Sequence, residues 1–331
     1  MPMRNSFEKW IGQQWQGVGP WHLVLVPLSW LFRLLSAARR LAYGLGMSRS
    51  FRLAVPVIVV GNISVGGTGK TPLVVWLAEQ LKLAGFSPGI ISRGYGGSNR
   101  QPVAVQADSP AQSVGDEPLL LARRTGCPVW VGADRTATAQ ALMQTDPQCD
   151  LIISDDGLQH YRLQRDIELA VVDAERGFGN GRLLPAGPLR EPVSRLSKVD
   201  AVIYNGKVSN CAGYSMRLQA GAFRNLKAPQ ITIGAEALRG NRVFAVAGIG
   251  NPQRFFQQLS DMGLNIEAHA FPDHYAFCPA DLAFAGNDVL LMTEKDAVKC
   301  SAFAGPEWWY LPVDAVVDHS LIDYIIQKLR K

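Results

Sequence analysis

An apolar strand that empties into a glycine-rich turn constrains this chain more than any other feature. The stretch is Pro56-Val-Ile-Val-Val-Gly-Asn-Ile-Ser-Val-Gly-Gly-Thr-Gly-Lys-Thr-Pro72. Gly66, Gly67 and Gly69 let backbone N–H groups converge on phosphate oxygens without interference from a Cβ, Lys70 reaches β- and γ-phosphates, and Thr71 offers its hydroxyl to Mg²⁺. Pro72 suits the first turn of a helix, where its missing N–H is no loss. The pattern G-x-x-x-x-G-K-[ST] has Gly at its first position, and this chain has Ser64 there. A glycine-rich turn also forms without any ligand, but a strand before it and a helix after it favour a nucleotide-phosphate cradle.

From residue 54 onward, short apolar runs alternate with helical patterns, the mark of a parallel α/β architecture. The spacing predicts strands at 54–60, 88–91, 127–131, 151–154, 168–172 and 201–204, with helices at 72–84 and 135–143. The pattern loosens over 205–240. A second, smaller α/β unit follows, with strands at 242–247, 265–271, 288–293 and 308–312 and helices at 252–262 and 320–329. The expected fold class is therefore a P-loop NTPase-like, mostly parallel sheet flanked by helices, with a second, smaller α/β domain. The expected divisions are an N-terminal segment 1–50, a nucleotide-binding domain 51–235 and a C-terminal domain 236–331.

The first fifty residues differ from the rest. Trp10, Trp15, Trp21 and Trp30 punctuate an apolar run over residues 21–32, and Arg33, Arg39, Arg40, Arg49 and Arg52 follow it. A spanning helix needs about 20 apolar residues, so this uncharged run, which contains Pro27, is too short. Positive charge after the apolar run, not before it, is the wrong order for a signal peptide. Indole rings with a basic flank suit a segment lying among the headgroups of an anionic leaflet, and a helix packed on the protein's own core is the alternative. A net charge of +5 is compatible with anionic partners without choosing among them. Five scattered cysteines with no C-x-x-C suggest neither a disulfide framework nor a zinc site and fit a reducing cytoplasm.

In open α/β sheets ligands sit beyond the carboxyl ends of the strands, which ranks the polar loops. Asp155 and Asp156 end the apolar run from Leu151 and suit a strand-end Mg²⁺ site beside the cradle. Asp116 and Glu117 stand at the start of a helical run, as a helix cap or as a general base for a sugar hydroxyl. Arg176, Arg182, Arg190 and Arg195 lie on or beside a loop stiffened by Pro185, Pro188 and Pro192 and are candidates to clamp phosphate. In the second unit His274 follows one strand and Lys295 another. A loop histidine beside an acid can tune or relay that acid's proton, though it is more often simply exposed.

Taken together, Gly61-Asn62, Val65–Pro72, Ser92-Arg-Gly-Tyr-Gly96, Gly115-Asp-Glu-Pro118, Asp155-Asp-Gly-Leu-Gln-His160, Leu184-Pro-Ala-Gly-Pro-Leu-Arg-Glu191 and Thr293-Glu-Lys-Asp296 resemble the tetraacyldisaccharide 4′-kinase family of lipid A biosynthesis. The resemblance spans about residues 10 to 320 and extends to the irregular Ser64. It implies ATP- and Mg²⁺-dependent phosphorylation of the 4′-hydroxyl of an acylated glucosamine disaccharide 1-phosphate, at the cytoplasmic face of the bacterial inner membrane. It implies a nucleotide cradle of Asn62, Ser64, Val65, Gly66, Gly67, Thr68, Gly69, Lys70 and Thr71, and a metal held among Thr71, Asp155, Asp156 and Glu191. Asp116 becomes the base with His274 as its partner, Lys70 acts with them, and Glu117, Arg190 and Arg93 face the substrate. The two units must then close on each other.

Val65-Gly-Gly-Thr-Gly-Lys-Thr71 also resembles the deviant P-loop of ParA/MinD-type ATPases. Their signature lysine before the glycine pair is Val65 here, which counts against a nucleotide switch. No aromatic and basic residues interleave on a recognisable module, so a nucleic-acid partner is not expected.

Overall fold

The structure is a computed structural model that describes residues 11, 12, 14, 15, 17, 19–99, 101–207 and 212–330. Trp10, the first ten residues of the N-terminal segment and Cys211 lie outside the described residues.

Two sheets organise the chain. The larger takes, in chain order, β1 (Val57–Gly61), β2 (Pro88–Ser92), β3 (Val103–Val105), β4 (Val129–Val131), β5 (Leu151–Asp155), β6 (Ile167–Asp173), β7 (Ala201–Asn205) and β8 (Tyr214–Ala220). The smaller takes β9 (Phe223–Asn225), β10 (Thr232–Ile233), β11 (Val243–Ala247), β12 (Ile266–Ala270), β13 (Val289–Thr293) and β14 (Trp308–Leu311), before β15 (Val313–Val317) returns to the larger. The spatial orders are 15-8-7-6-1-5-2-4-3 and 10-9-14-13-11-12. The larger sheet is parallel except at its two edge pairs, β3 with β4 and β15 with β8. The helices are α1 (His22–Gly44), α2 (Lys70–Leu83), α3 (Ala111–Val114), α4 (Asp116–Thr125), α5 (Arg135–Thr145), α6 (Pro252–Asp261), α7 (Glu294–Cys300) and α8 (Ser320–Leu329).

Central strands form where both faces are covered, so β1, β2, β5 and β6 are buried at every residue. Helices α2 and α8 supply one cover, through Leu73, Leu77, Leu81, Leu321 and Ile325. In the smaller lobe, α6 buries Phe255, Phe256 and Leu259 against β11 and β13.

The division expected at residue 235 does not coincide with the sheets. β9 and β10 already belong to the smaller one, while β15 and α8 complete the larger. The smaller lobe, residues 223–311, is therefore inserted in the larger. Two strands cross side by side: Val313 pairs with Ala220 in one sheet and Tyr310 with Arg224 in the other. Pro312 and Gly221 mark the crossing, where the Gly221 N–H donates to the Pro312 carbonyl at 3.0 Å.

Helix α1 carries the N-terminal apolar run. Its inner side is anchored to the proline-braced loop: the Ser29 hydroxyl donates to the Leu183 carbonyl at 2.9 Å and Phe32 packs on Leu183 and Leu189. Its outer side is bare. Leu23, Trp30, Leu34 and Leu35 are each at least 60% exposed. Among the described residues no helix is long and apolar enough to cross a membrane.

Candidate active site

A cleft of about 2350 Å³ runs between the two lobes and along α1, and the motif residues converge on it. Its floor is the turn from β1 into α2. Gly66 and Gly69 adopt φ of 100° and 93°, which residues with a Cβ avoid. Ser64 does not: it is bridged to Leu189, and the Val65 N–H donates to the Pro188 carbonyl at 2.8 Å. A serine fits at this point because the backbone is held against the neighbouring loop without a left-handed turn. The N–H groups of Gly66, Gly67, Thr68 and Gly69 donate to no acceptor among the described residues and stand at the start of α2, as an anion site requires. Asn62 reaches the Gly66 carbonyl and the Thr68 hydroxyl, both at 3.4 Å, and Asn205 reaches the Thr68 carbonyl at 3.1 Å. Arg176 bonds the Gly67 carbonyl. The roles of Asn205 and Arg176 in shaping the turn carry no signature that sequence reasoning recognises.

Pairing of β1 with β5 sets Val60 beside Asp155, so the strand-end acids stand next to the cradle. Asp155 is buried, takes the Ser92 hydroxyl on one oxygen at 3.1 Å and leaves Oδ1 without a partner. Burial, then the charges of Glu117 and Asp156, push its carboxyl up to about 6 despite Lys70 and Arg135. Asp156, at a left-handed φ of 48°, stands 3.5 Å from Lys70 and 3.1 Å from Arg190. Burial works against its charge, but these cations hold its carboxyl below the usual range.

Glu191 sits differently from what a metal ligand requires. Its oxygens take Gln159 at 2.8 Å and Tyr161 at 2.6 Å, with Arg195 and Arg40 at 3.5 and 3.6 Å. Both oxygens are thus satisfied by protein donors, and its side chain ties α1 to the loop beneath the cradle. Among the described residues no three His, Cys, Asp or Glu side chains form a ready-made metal cage. Mg²⁺ binds through one or two carboxylates plus substrate phosphates. The unpartnered Asp155 oxygen fits such an ion.

The second acid pair opens α4. Gly115, at φ 91°, packs so tightly on the Tyr95 carbonyl that a Cβ there would lie 2.8 Å from it. This fixes Asp116, which is buried, directly behind Glu117 and His274, which line the cleft. From the smaller lobe comes His274, also left-handed at φ 58°, with Nδ1 3.0 Å from both Asp116 oxygens. Lys295, at the start of α7, bonds Glu117 at 3.0 Å and stands 3.5 Å from His274 Nε2 and 3.9 Å from Asp116. Burial favours a neutral Asp116, yet the His274 hydrogen bond and the Lys295 charge keep its carboxyl below its ordinary value. Burial disfavours protonated His274, and Asp116 more than reverses this, so the imidazole is raised. The structure thus brings Asp116, His274 and Lys295 together across the two lobes. In the sequence Lys295 carries little signal, since a lysine after a strand has no distinctive spacing. Arg93 is exposed on the loop after β2 and lines the cleft.

The model of the family described as tetraacyldisaccharide-1-P 4′-kinase, LpxK, matches residues 21–330. The chain belongs to this family. It is 55% identical over 329 residues to the tetraacyldisaccharide 4′-kinase of Methylobacillus flagellatus, covering 99% of this chain and 98% of that protein. The tetraacyldisaccharide 4′-kinase of Azoarcus sp. is 54% identical over 322 residues, 96% of this chain and 94% of that one. A solved structure of LpxK from Aquifex aeolicus, an apo form in complex with ATP, has a TM-score of 0.78 and 27% identity, covering 92% of this chain and 98% of that chain. Membership agrees with the resemblance carried by the motifs, and the shared fold with the α/β class expected.

Proposed function

We propose that this chain transfers the γ-phosphate of ATP to the 4′-hydroxyl of a tetraacylated glucosamine disaccharide 1-phosphate, forming the bisphosphorylated lipid A precursor, with Asp116 as the base. The observation that carries the reading is the Asp116–His274 contact opposite the Gly66–Thr71 cradle in one cleft. The free N–H groups at the α2 start and Lys70 hold the triphosphate. The oxygen of the attacking hydroxyl bonds to the γ-phosphorus, the bond from that phosphorus to the β,γ-bridging oxygen breaks, and Asp116 receives the hydroxyl proton. His274 orients Asp116 and shares that proton, while Lys295 anchors Glu117 and adds a positive charge beside Asp116. Asp155, Asp156 and Thr71 would hold Mg²⁺, which when bound neutralises charge on the transferred group. Arg190 orients Asp156, and Glu117 and Arg93 face the sugar.

The bare face of α1 supports docking on an anionic membrane, at the cytoplasmic leaflet where the arginines of the segment favour contact. Acyl chains then stay in the bilayer while the head group enters the cleft. Deleting α1 is a poor test, because Ser29 and Phe32 hold the active-site loop. Replacing Leu31 and Leu35 with Glu spares those contacts. Incubation of wild-type protein with γ-labelled ATP and the disaccharide 1-phosphate should place label in the glycolipid, and the Leu31→Glu/Leu35→Glu variant should lose sedimentation with anionic vesicles. Label released only as free phosphate contradicts the kinase reading; unchanged sedimentation contradicts the membrane reading.

A further inference from the structure

One buried acid of the smaller lobe has no part in the chemistry above, although it stands next to Lys295 in the run Thr293-Glu-Lys-Asp296. Asp296, at the start of α7, is completely buried. Its Oδ2 accepts the Thr293 hydroxyl at 2.6 Å and, just past the end of β11, the Gly248 N–H at 3.0 Å. Its Oδ1 stands 2.6 Å from Lys299 Nζ, an ion pair without the alignment of a hydrogen bond, and Lys299 lies over the Phe277 ring at 5.0 Å. Replacing a buried ion pair by apolar residues is often neutral or stabilising, so stability does not account for Asp296 and Lys299. What an apolar pair cannot do is accept the Gly248 N–H.

Gly248 is also where His274 is held. The His274 N–H donates to the Gly248 carbonyl at 3.2 Å and to Asp273 Oδ1 at 3.0 Å. A residue with a Cβ keeps the left-handed φ of 58° found at His274 only where its surroundings impose it. Gly248 leaves no slack: a Cβ there would lie 3.0 Å from Asp296 Oδ1 and 3.3 Å from both the Phe277 ring and the Pro272 carbonyl. The rings of Phe271, Tyr275 and Phe277 meet at centroid distances of 4.9 to 5.1 Å, so the loop that carries His274 is clasped through Phe277 to the same glycine.

Resting on the reading of Asp116 and His274 as the base and its partner, we propose that Asp296 is a positioning residue for phosphoryl transfer. Through Gly248 it fixes the His274 backbone so that Nδ1 meets Asp116 at 3.0 Å across the two lobes. Asp296 does not itself line the cleft. Its influence falls on the step in which the acceptor hydroxyl loses its proton, and not on the grip of the cradle, which belongs to the larger lobe.

The test is a cycle of substitutions read by single-turnover phosphorylation of the disaccharide 1-phosphate at saturating ATP, with nucleotide Kd measured beside it by calorimetry. Asp296→Asn should lower the rate by about tenfold or more, within the roughly hundredfold that a misplacement of about 1 Å costs, and leave nucleotide affinity unchanged. In a His274→Ala background the same substitution should lower the rate by less than about twofold, because the group it acts through is gone. Equal losses in both backgrounds overturn the proposal and leave Asp296 a merely structural residue. An Asp296→Asn variant as fast as wild type overturns it too. If the unpaired Lys299 charge prevents that variant from folding, Gly248→Ala strikes the same link with both charges kept, and a loss that persists when His274 is alanine overturns the proposal in the same way. A His274→Ala enzyme as fast as wild type would instead break the reading of the base and its partner, a result distinct from equal losses with His274 still required.

Discussion

Asp155-Asp156 and Asp116-Glu117 are alike on paper: two adjacent acids beside the same cleft, the first of each pair 2% and 4% exposed. Their protonation goes opposite ways. Burial pushes Asp155 up to about 6, and the nearby cations do not overcome it. Burial acts on Asp116 in the same direction, but His274 and Lys295 outweigh it and hold the carboxyl low. The difference is the source of the cation. For Asp116 it arrives from the smaller lobe as protein, whereas Asp155 keeps an oxygen without any protein partner. Burial alone therefore does not decide whether an acid is charged. On the proposed reading, the base has its cation built in and the metal-holding acid leaves the place open.

The largest effect that would sharpen this contrast is on the chemical step. Asp116→Asn should lower kcat by about a thousandfold, in the range of a lost general base, while nucleotide binding measured by calorimetry stays near wild type. Lost ATP affinity with intact turnover would break the assignment. Next comes stability without metal. Asp155 has a folded value raised from 3.8 to about 6, so the folded protein holds a proton that the unfolded chain releases, and stability falls as pH rises through that window. In EDTA, Asp155→Asn should be more stable than wild type at pH 8, by up to about 3 kcal/mol, with the gap closing toward pH 4. Thermal unfolding across that range reads it, and a gap that widens on acidification refutes the contrast. The smallest effect concerns Lys295. Its charge helps hold Asp116 low, so Lys295→Met should move the acid limb of the kcat profile toward neutral pH, with little change on the plateau where Asp116 stays ionised. An acid limb that stays in place would assign the support to His274 and Lys299.

How much of this was legible follows from where each element sits. The strands β1 and β5 read clearly because both faces are buried and the sequence is an apolar run, and β2 and β6 through their apolar stretches Ile90-Ile91 and Leu169–Val172. Strand β8, Tyr-Ser-Met-Arg-Leu-Gln-Ala, alternates apolar and polar residues as a half-buried strand does, and was missed because it is not a continuous apolar run, while the short β3, β9 and β10 offer too few residues for a period. Strand β15 was hidden by Pro312, which reads as an end but is the point where the chain changes sheets. In the site, motif residues such as Lys70, Asp116 and Asp155 were legible through their spacing and the family they resemble. The fourfold engagement of Glu191 was not, since Gln159, Tyr161, Arg195 and Arg40 meet it only through tertiary folding.

The insertion of one lobe inside the other has a bearing on biosynthesis. Residues 313–329, which supply an edge strand and the covering helix of the nucleotide-binding sheet, emerge from the ribosome only after the whole His274 lobe has been made. A nascent chain therefore owns every cradle residue long before it owns a finished core around them. Phosphate-gripping competence arrives late in synthesis, when the partner that ionises Asp116 is already present.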